Sequence, residues 1–274
     1  METIGVIGGG NMAEAIIKGI IRSGMYKPGD IMASDVRPER LDFLAKEYKV
    51  KTTLNNEELV KHASVILICV KPQNVKKMLD GIEGKTRDNT LVISIAAGIT
   101  TTYLAKRLSN CRIIRAMPNT PAMVGEGATA LFSANADKAS VEYAVKLFSA
   151  VGGAVVVGTE DLMNVVTAIS GSGPAYFFLL MEQMIEAAVK LGLERKTAVE
   201  LVLQTAKGAS VLAAQACARG ESPADLRRKV TSPRGTTEAA ITVFEKHNLG
   251  EILSSGFERA RQRSMELSKE VENS

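Results

Sequence analysis

The sequence predicts an α/β protein: a domain with a doubly wound parallel sheet, followed by an all-α domain. Up to about residue 158, short β-rich segments alternate with amphipathic segments of helical periodicity. Such strand–helix–strand repetition is typical of a parallel sheet covered by helices. After residue 160 the strand pattern stops and only helical segments follow. We therefore expect two domains, residues 1–160 and residues 161–274.

The predicted strands are short, and those before residue 100 are continuously apolar, as expected for strands buried on both faces. They are TIGVIG (3–8), DIMASD (30–35), SVILICV (64–70), TLVISIA (90–96), CRIIRAM (111–117), ATALFS (128–133) and GAVVVG (153–158). Amphipathic segments such as residues 37–48 and 57–63 lie between them and predict the covering helices.

The second domain contains predicted helices over residues 175–193, 196–219, 223–230, 236–248 and 249–271. Ser222, followed by Pro223 and Asp225, is a typical helix N-terminus. Residues 175–193 are apolar around nearly the whole circumference, so we expect this helix to be buried. Burial in the centre of its own domain or against a second subunit would explain the pattern, and the latter predicts a homodimer.

The composition excludes several classes of protein. A chain that is 46% hydrophobic and 23% charged is expected to fold, and a net charge of +4 with few aromatic residues argues against nucleic-acid binding. Cys69, Cys111 and Cys217 lack metal-ligand spacing, and we expect no metal but buried thiols in a reduced, cytoplasmic protein. We expect no secretory signal, no apolar stretch of about 18 residues that could span a membrane, and therefore no membrane partner.

The first strand runs into Gly8-Gly9-Gly10-Asn11-Met12-Ala13, a G-x-G-x-x-A pattern at the start of a helix. In a dinucleotide-binding turn, the first glycine allows the tight turn and the second lets the backbone approach the pyrophosphate. The small Ala13 allows the helix and strand to pack closely. The N-terminus of the helix would stabilise the phosphate charge. The sequence therefore predicts a Rossmann domain that binds a dinucleotide.

The end of the second strand is expected to contact the adenosine ribose. A carboxylate at Asp35 would bind the ribose hydroxyls and disfavour a 2′-phosphate. Ser34, Arg37 and Arg40 could instead hold that phosphate, although the two arginines would also suit an exposed helix start. The choice between NADPH and NADH therefore stays open from these residues.

Three further segments lie where a doubly wound sheet binds its ligands, beyond the carboxyl ends of the strands. Pro72 fixes the chain direction after Val70 and Lys71, which favours a cofactor loop over a surface turn. The small residues 96–98 would admit a nicotinamide ring or ribose, or would simply allow close packing. The loop around Asn119 contains two prolines and two glycines, which favours a role in a site.

Six segments of the chain resemble those of pyrroline-5-carboxylate reductase, the last enzyme of proline biosynthesis, in their order and spacing. They are GVIGGGNMAEAI, ICVKPQ, ISIAAGI, MPNTPAMVGEG, ISGSGPAY and VTSPRGTTEAAI. The resemblance runs from residue 3 to about residue 267, and the pair SGSGPAY and TSPxGTT is far more specific than the glycine pattern. It implies a Rossmann domain and a helical dimerisation domain, in a homodimer that can assemble into a decamer. It also implies reduction of 1-pyrroline-5-carboxylate to L-proline with NADPH, or alternatively NADH, as cofactor.

The resemblance also implies which residues contact the two ligands. Those expected to line the cofactor are Ile7, Gly8, Gly9, Gly10, Asn11, Met12, Ser34, Asn56, Cys69, Val70, Lys71, Pro72, Ile95, Ala96 and Ala97. Asp35, Arg37 and Asn119 join them because of their positions at the strand ends. Those expected to contact the substrate are Glu160, Lys229, Thr236 and Thr237.

Residues 231–240, TSPRGTTEAA, run from a Pro/Gly turn into the start of a helix, where N–H groups and hydroxyls would bind a substrate carboxylate. Ser232 and Gly235 therefore join the substrate residues, and Thr237 is the candidate catalytic donor to the imine nitrogen. An ordinary helix with Thr236 as its N-cap is the alternative. Related proteins usually have glycine at Arg234; a positive φ there would strain the arginine by roughly 1 kcal/mol, whereas a negative φ would place a cation near the carboxylate.

Residues 169–176, ISGSGPAY, mark the predicted passage between the domains. Small residues would leave room for the substrate, and Ser172 would offer it an N–H group and a hydroxyl; a plain linker is the alternative. Two other functions remain open: another imine or 3-hydroxyacid oxidoreductase, or a nucleotide-sensing protein without catalysis. Hydroxyacid enzymes would be expected to place a catalytic lysine on the first long helix of domain two. Here that helix has only Lys190, near its far end, which counts against them.

Overall fold

The computed structural model describes residues 3–272, in which eight strands form one sheet. The strands are β1 (Ile4–Ile7), β2 (Ile31–Ser34), β3 (Lys51–Thr53), β4 (Val65–Ile68), β5 (Leu91–Ser94), β6 (Arg112–Met117), β7 (Gly127–Phe132) and β8 (Gly152–Val156). All seven predicted strands are present, with ends shifted by one or two residues. Strand β3 was not predicted from the sequence, because this three-residue edge strand consists of polar residues and lacks the apolar pattern of a buried strand.

The helices are α1 (Asn11–Arg22), α2 (Pro38–Tyr48), α3 (Asn56–His62), α4 (Val75–Ile82), α5 (Thr101–Arg107), α6 (Lys138–Ser149), α7 (Leu162–Val166), α8 (Gly173–Lys190), α9 (Arg195–Cys217), α10 (Pro223–Lys229), α11 (Thr236–Lys246) and α12 (Leu249–Glu272). A π-helical turn, Thr167–Gly171, connects α7 to α8. The helices predicted from the sequence therefore exist, and the π-turn is an addition that periodicity does not reveal.

The sheet order is β3-β2-β1-β4-β5-β6-β7-β8. Strands β1 to β6 are parallel, and the order reverses between β1 and β4, which creates the crevice where such sheets bind ligands. The doubly wound fold class predicted from the sequence is confirmed, and the sheet departs from the parallel arrangement at one place, where β7 runs antiparallel to β6. The segment between them holds only a 3₁₀ turn, Thr120–Val124, which is too short for the crossover that a parallel return requires.

Two apolar layers cover the sheet. Alternate residues of each strand face opposite sides, so Ile4 and Val6 join the cluster beneath α1 and α6, while Ile7 joins the cluster beneath α3, α4 and α5. These layers fix the strand ends, and with them the loops that carry the predicted cofactor residues.

The chain divides into two compact units. The first runs to Pro174 and also includes the segment that begins at Glu258, and the second comprises Ala175–Phe257. This division differs from the predicted domains 1–160 and 161–274, because α7, the π-turn and the end of α12 belong to the first unit. Ser264 of α12 donates a hydrogen bond to Oδ1 of Asn164, 2.9 Å away. The functional division at residue 160 stays a prediction.

The second unit has very little core of its own. Only Ala198, Val202 and Ala216 are buried among its residues, whereas Phe177 and Phe178 are each 60% exposed. The helices of this unit therefore present an extended apolar surface.

Of the three cysteines, Cys217 is exposed, so the expectation of three buried thiols is wrong for this one. Cys111 is buried and Cys69 is half-buried.

One continuous helical segment, Leu162–Lys190, is long and apolar enough to cross a membrane by length and composition. The expectation that no such stretch exists is therefore wrong, since α7, the π-turn and α8 join into one segment. A single segment of this kind is weak evidence for a membrane span, because helices that pack against other protein surfaces meet the same criterion.

Candidate functional site

The glycine turn after β1 has the geometry of a dinucleotide-binding turn. Gly8 has φ +96°, and a Cβ atom there would lie 2.9 Å from the carbonyl carbon and oxygen of Cys69, so no other residue fits without strain. A Cβ at Gly10 would meet no atom within 4 Å, which leaves open space above the backbone. Gly10 is also the N-cap of α1, and no side chain caps this helix. Its N–H groups are therefore available to a phosphate.

Asp35 is held against this turn. Gly9 N–H donates to its Oδ2 over 2.8 Å, and the Arg37 side chain donates to Oδ1 over 3.0 Å. Burial alone would raise the pKa of Asp35, but the hydrogen bonds from Arg37 and from the backbone N–H groups of Gly9 and Arg37 outweigh it and lower that pKa. Asp35 is therefore an ionised carboxylate, 8% exposed, beside the predicted ribose position.

The candidates for holding a 2′-phosphate differ in what they already contact. Arg40 donates to the carbonyl oxygen of Gly9 and to Glu14, so its guanidinium is engaged in fixing the turn. The Ser34 hydroxyl donates to Oδ1 of Asn56 over 2.7 Å, and Ser34 is buried. Arg37 pairs with Asp35 but is 53% exposed. Arg37 is therefore the best placed of the two arginines to reach a phosphate.

The ends of β4 and β5 lie beside the glycine turn. Cys69 N–H donates to the carbonyl oxygen of Ile7 over 2.8 Å, and Ile95 N–H donates to that of Ile68 over 3.0 Å. These bonds bring residues 69–72 and 95–97 to the same edge of the sheet as Gly8. Burial raises the pKa of the Cys69 thiol, which disfavours the nucleophilic thiolate.

Asn119 braces two segments of backbone. Its Oδ1 accepts a hydrogen bond from Ala128 N–H over 2.8 Å, and its Nδ2 donates to the carbonyl oxygen of Ser170 over 3.2 Å. Ser170 belongs to the π-turn, and the predicted substrate residue Ser172 follows that turn. The N–H of Ser172 donates to the carbonyl oxygen of Thr167 over 2.9 Å. The backbone N–H of Ser172 is therefore engaged, and only its hydroxyl is left for the predicted role.

Glu160 makes contacts that the sequence did not predict. Its carboxylate accepts hydrogen bonds from the N–H and the hydroxyl of Thr101, each over 2.7 Å, and it lies 3.2 Å from the guanidinium of Arg115. These three bonds leave an acceptor site on Oε2, because a carboxylate accepts about four hydrogen bonds. Arg115 and Thr101 were absent from the predicted site, although a charged residue inside the apolar strand CRIIRAM is a signal that could have identified Arg115.

A four-residue turn, residues 232–235, precedes α11, and its backbone geometry depends on the residue types present. Gly235 N–H donates to the carbonyl oxygen of Ser232 over 2.9 Å, which closes a four-residue turn with Pro233 at its second position. Arg234, at the third position, has φ +62°, as a type II turn requires. Of the two outcomes considered for Arg234, the structure shows the strained one. A Cβ at Gly235 would lie 2.9 Å from the oxygen of Ser232.

The start of α11 is not capped by a threonine. Gly235 is the N-cap and no side chain caps the helix, so the alternative with Thr236 as N-cap is wrong. Thr236 and Thr237 instead occupy the first two helical positions. Their N–H groups have no acceptor within the helix and are available to an anion. Lys229, at the end of α10, donates to Glu221.

Comparisons with known proteins cover nearly the whole chain. Residues 160–267 match the family described as pyrroline-5-carboxylate reductase dimerisation, and residues 3–98 match that described as NADP oxidoreductase, coenzyme F420-dependent. A pyrroline-5-carboxylate reductase of Pseudomonas aeruginosa is 42% identical over 98% of this chain and 97% of its own.

Two solved structures extend the comparison. A pyrroline-5-carboxylate reductase of Coxiella burnetii is 41% identical, with a TM-score of 0.90 over 97% of this chain and 98% of its own. The pyrroline carboxylate reductase of Plasmodium falciparum, solved with NADP bound, is 29% identical, with a TM-score of 0.85 over 97% and 98%.

Proposed function

The chain belongs to the pyrroline-5-carboxylate reductase family, and on this premise we propose that it reduces 1-pyrroline-5-carboxylate to L-proline. The observation that carries the proposal is the similarity to reductases of this name along almost the full length of both chains. The chain is an NAD(P)H-dependent oxidoreductase of proline biosynthesis. When bound, this cofactor supplies the hydride that is added to the imine carbon.

The first unit would bind the cofactor. The uncapped N-terminus of α1 and the open space at Gly10 suit the pyrophosphate, because several N–H groups point at one anion. Residues 69–72 and 95–97 would line the nicotinamide side, as the carboxyl ends of parallel strands do in doubly wound sheets. Ile7, Asn11, Met12, Ser34 and Asn56 would complete the predicted set around the turn.

Asp35 and Arg37 would decide how the adenosine ribose is bound. An ionised Asp35 would accept a hydrogen bond from a 2′-hydroxyl, as NADH requires, and would repel a 2′-phosphate. The half-exposed Arg37 could turn from Asp35 towards that phosphate and offset the repulsion. We propose that this pair allows both cofactors and that NADPH binding depends on Arg37.

The second unit would hold the substrate. The free N–H groups of Thr236 and Thr237 would bind its carboxylate, with Ser232, Gly235 and Lys229 beside them. The Thr237 hydroxyl would donate to the imine nitrogen, which becomes an amine as the hydride arrives. Ser172 and Glu160 complete the predicted substrate set, and Glu160 also holds Thr101 through two hydrogen bonds.

A homo-oligomer is the expected form of the enzyme. The dimerisation family matches residues 160–267, and the helices of the second unit leave large apolar side chains exposed in the single chain. Burying this surface against a second copy would be strongly favourable. We propose a dimer that can assemble into a decamer, located in the cytoplasm, with the Leu162–Lys190 segment in contact with protein rather than with a membrane.

The proposal is tested by following NADPH or NADH oxidation spectrophotometrically in the presence of 1-pyrroline-5-carboxylate, with L-proline identified as the product. Turnover that requires the imine and one of the two cofactors is the expected result. Absence of turnover with both cofactors, in a protein that is folded and binds NADPH or NADH, would contradict the proposed substrate. Light scattering of the purified chain measures the oligomeric state independently.

A further inference from the structure

Arg115 lies in the interior of the sheet domain, on β6. Its side chain is 3% exposed and its guanidinium lies 3.2 Å from the carboxylate of Glu160. The Glu160 side chain stays 21% exposed, whereas the Arg115 guanidinium loses its water. That desolvation costs free energy which the attraction only partly recovers, so the pair is poor evidence of a stabilising role. Another reason for the pair is therefore needed.

The carboxylate of Glu160 reaches a segment distant in sequence. Both of its oxygens accept hydrogen bonds from Thr101, one from the backbone N–H and one from the hydroxyl, each over 2.7 Å. Thr101 is the first residue of α5 and is itself buried. The N–H groups at the start of a helix lack intrahelical acceptors. Glu160 accepts from Thr101 N–H and the Thr100 hydroxyl accepts from Tyr103 N–H, so both residues fix the place where this helix begins.

The loop between β5 and α5 is thereby held at both ends. At its first residue, Ile95 N–H donates to the oxygen of Ile68 on β4 over 3.0 Å, and after its last residue Thr101 is held by Glu160. Ala96 and Ala97, proposed to line the nicotinamide side of the cofactor, lie between these two points. Arg115 orients the carboxylate from β6, the next strand of the sheet.

We propose that Arg115 and Glu160 are positioning residues that act through Thr101 to hold the loop Ile95–Thr100 against the nicotinamide end of the cofactor. The proposal rests on the proposed function, because that function places the cofactor at this loop. It gives Glu160 a role on the cofactor side of the reaction, in addition to its predicted place among the substrate residues.

The test compares Thr101→Val, which removes only the hydroxyl, with Glu160→Gln and Arg115→Lys. Isothermal titration measures binding of the whole cofactor and of its adenosine fragment, 2′,5′-ADP or 5′-AMP, and steady-state kinetics give kcat and KM. The matched control is Arg107→Gln, which removes ion pairs with Asp80 and Glu83 at the other end of α5.

Thr101→Val and Glu160→Gln are expected to weaken whole-cofactor binding by roughly tenfold and to lower kcat by about 10- to 100-fold, the scale of loss that a displacement of about 1 Å causes. Binding of the adenosine fragment should change by less than about twofold, since that end of the cofactor is held elsewhere. Arg115→Lys should retain part of the effect, and Arg107→Gln should match the wild type.

Equal losses of binding affinity for the whole cofactor and for the adenosine fragment would overturn the proposal, and so would unchanged cofactor binding and kcat. Unfolding of both Thr101→Val and Arg115→Lys would also overturn it, because the pair would then be purely structural. Failure of the proposed function looks different. A wild-type protein that binds the cofactor but does not turn over 1-pyrroline-5-carboxylate would refute that substrate, while the contrast between cofactor and fragment would still decide the role of the pair.

Discussion

The backbone N–H of Arg234 donates a hydrogen bond to Oε2 of Glu238 over 2.6 Å, across the start of α11. Glu238 is the acidic residue of the first helical turn, where a carboxylate is favoured by the helix dipole. This bond ties the turn of residues 232–235 to the helix and keeps Arg234 in its left-handed conformation, with φ +62°. The N–H groups of Thr236 and Thr237 are not involved.

Replacing Arg234 with glycine is expected to stabilise the protein. The left-handed conformation costs a non-glycine residue about 1–2 kcal/mol, and the greater freedom of glycine in the unfolded chain removes about 0.4–1 kcal/mol of that gain. Arg234→Gly should therefore raise the free energy of unfolding by up to about 1.6 kcal/mol, as measured by urea denaturation. Arg234→Ala is the control, since it removes the charge and keeps the strain; equal gains from both variants would contradict the strain.

Asp35 and Arg37 are expected to control the choice of cofactor in opposite directions. Asp35→Asn removes the charge that would repel a 2′-phosphate, so the Kd for NADPH should fall severalfold and that for NADH should rise. Arg37→Ala should raise the Kd for NADPH by about tenfold and change that for NADH much less. Titration of the apo-protein with each cofactor measures both values. Parallel changes for the two cofactors in either variant would contradict this assignment.

Asp35 should also make stability depend on pH. The pKa of Asp35 is lowered in the folded protein. Its contribution to the free energy of unfolding is therefore fully present above its pKa in the unfolded chain, about 3.9, and is lost as the pH falls through its pKa in the folded protein. Denaturation at pH 7 and below pH 4 should therefore show a difference between wild type and Asp35→Asn that shrinks on acidification. A difference of the same size at both pH values would contradict this contribution.

Much of the cofactor-binding turn could be predicted because its requirements are local. Gly8 is needed for its own φ value and for the nearby backbone of Cys69, and a glycine pattern at a strand end indicates both. The antiparallel β7 and the edge strand β3 could not be predicted in this way. The direction of β7 depends on the length of a loop, and the three polar residues of β3 are held by pairing with β2.

The contacts of the site were harder to predict than its residues. Glu160 was identified by resemblance, but its partners Thr101 and Arg115 are distant in sequence, and only the packing of β5, β6 and the segment after β8 brings them together. Arg40 was a candidate for binding phosphate, and tertiary contacts engage it with Gly9 and Glu14 instead. Motifs identify residue types, whereas hydrogen-bond partners follow from the fold.

Asn119 allows its two hydrogen bonds to be separated. Asn119→Asp keeps an oxygen for Ala128 N–H and loses the donor to Ser170, whereas Asn119→Ala loses both. Asn119→Ala should lower the free energy of unfolding by about 1–2 kcal/mol, and Asn119→Asp by less. Urea denaturation measures both values. If the two variants were equally destabilised, the bond to Ala128 would not contribute.

Thr237 provides the most direct test of the proposed chemistry. Thr237→Ala removes the hydroxyl proposed to donate to the imine nitrogen, and a positioned proton donor contributes about 100- to 10,000-fold to rate. We therefore expect kcat to fall by about 100-fold or more, with the Kd for NADPH unchanged, while Thr237→Ser should keep most of the activity.

Thr242→Ala is the matched control for Thr237→Ala, because the Thr242 hydroxyl on the same helix donates only to the backbone oxygen of Glu238, 2.9 Å away. It should leave kcat close to the wild-type value. Single-turnover measurements of NADPH oxidation separate the chemical step from product release. A Thr237→Ala enzyme with a wild-type single-turnover rate would place the proton donor elsewhere and leave Thr237 only the carboxylate contact through its backbone N–H.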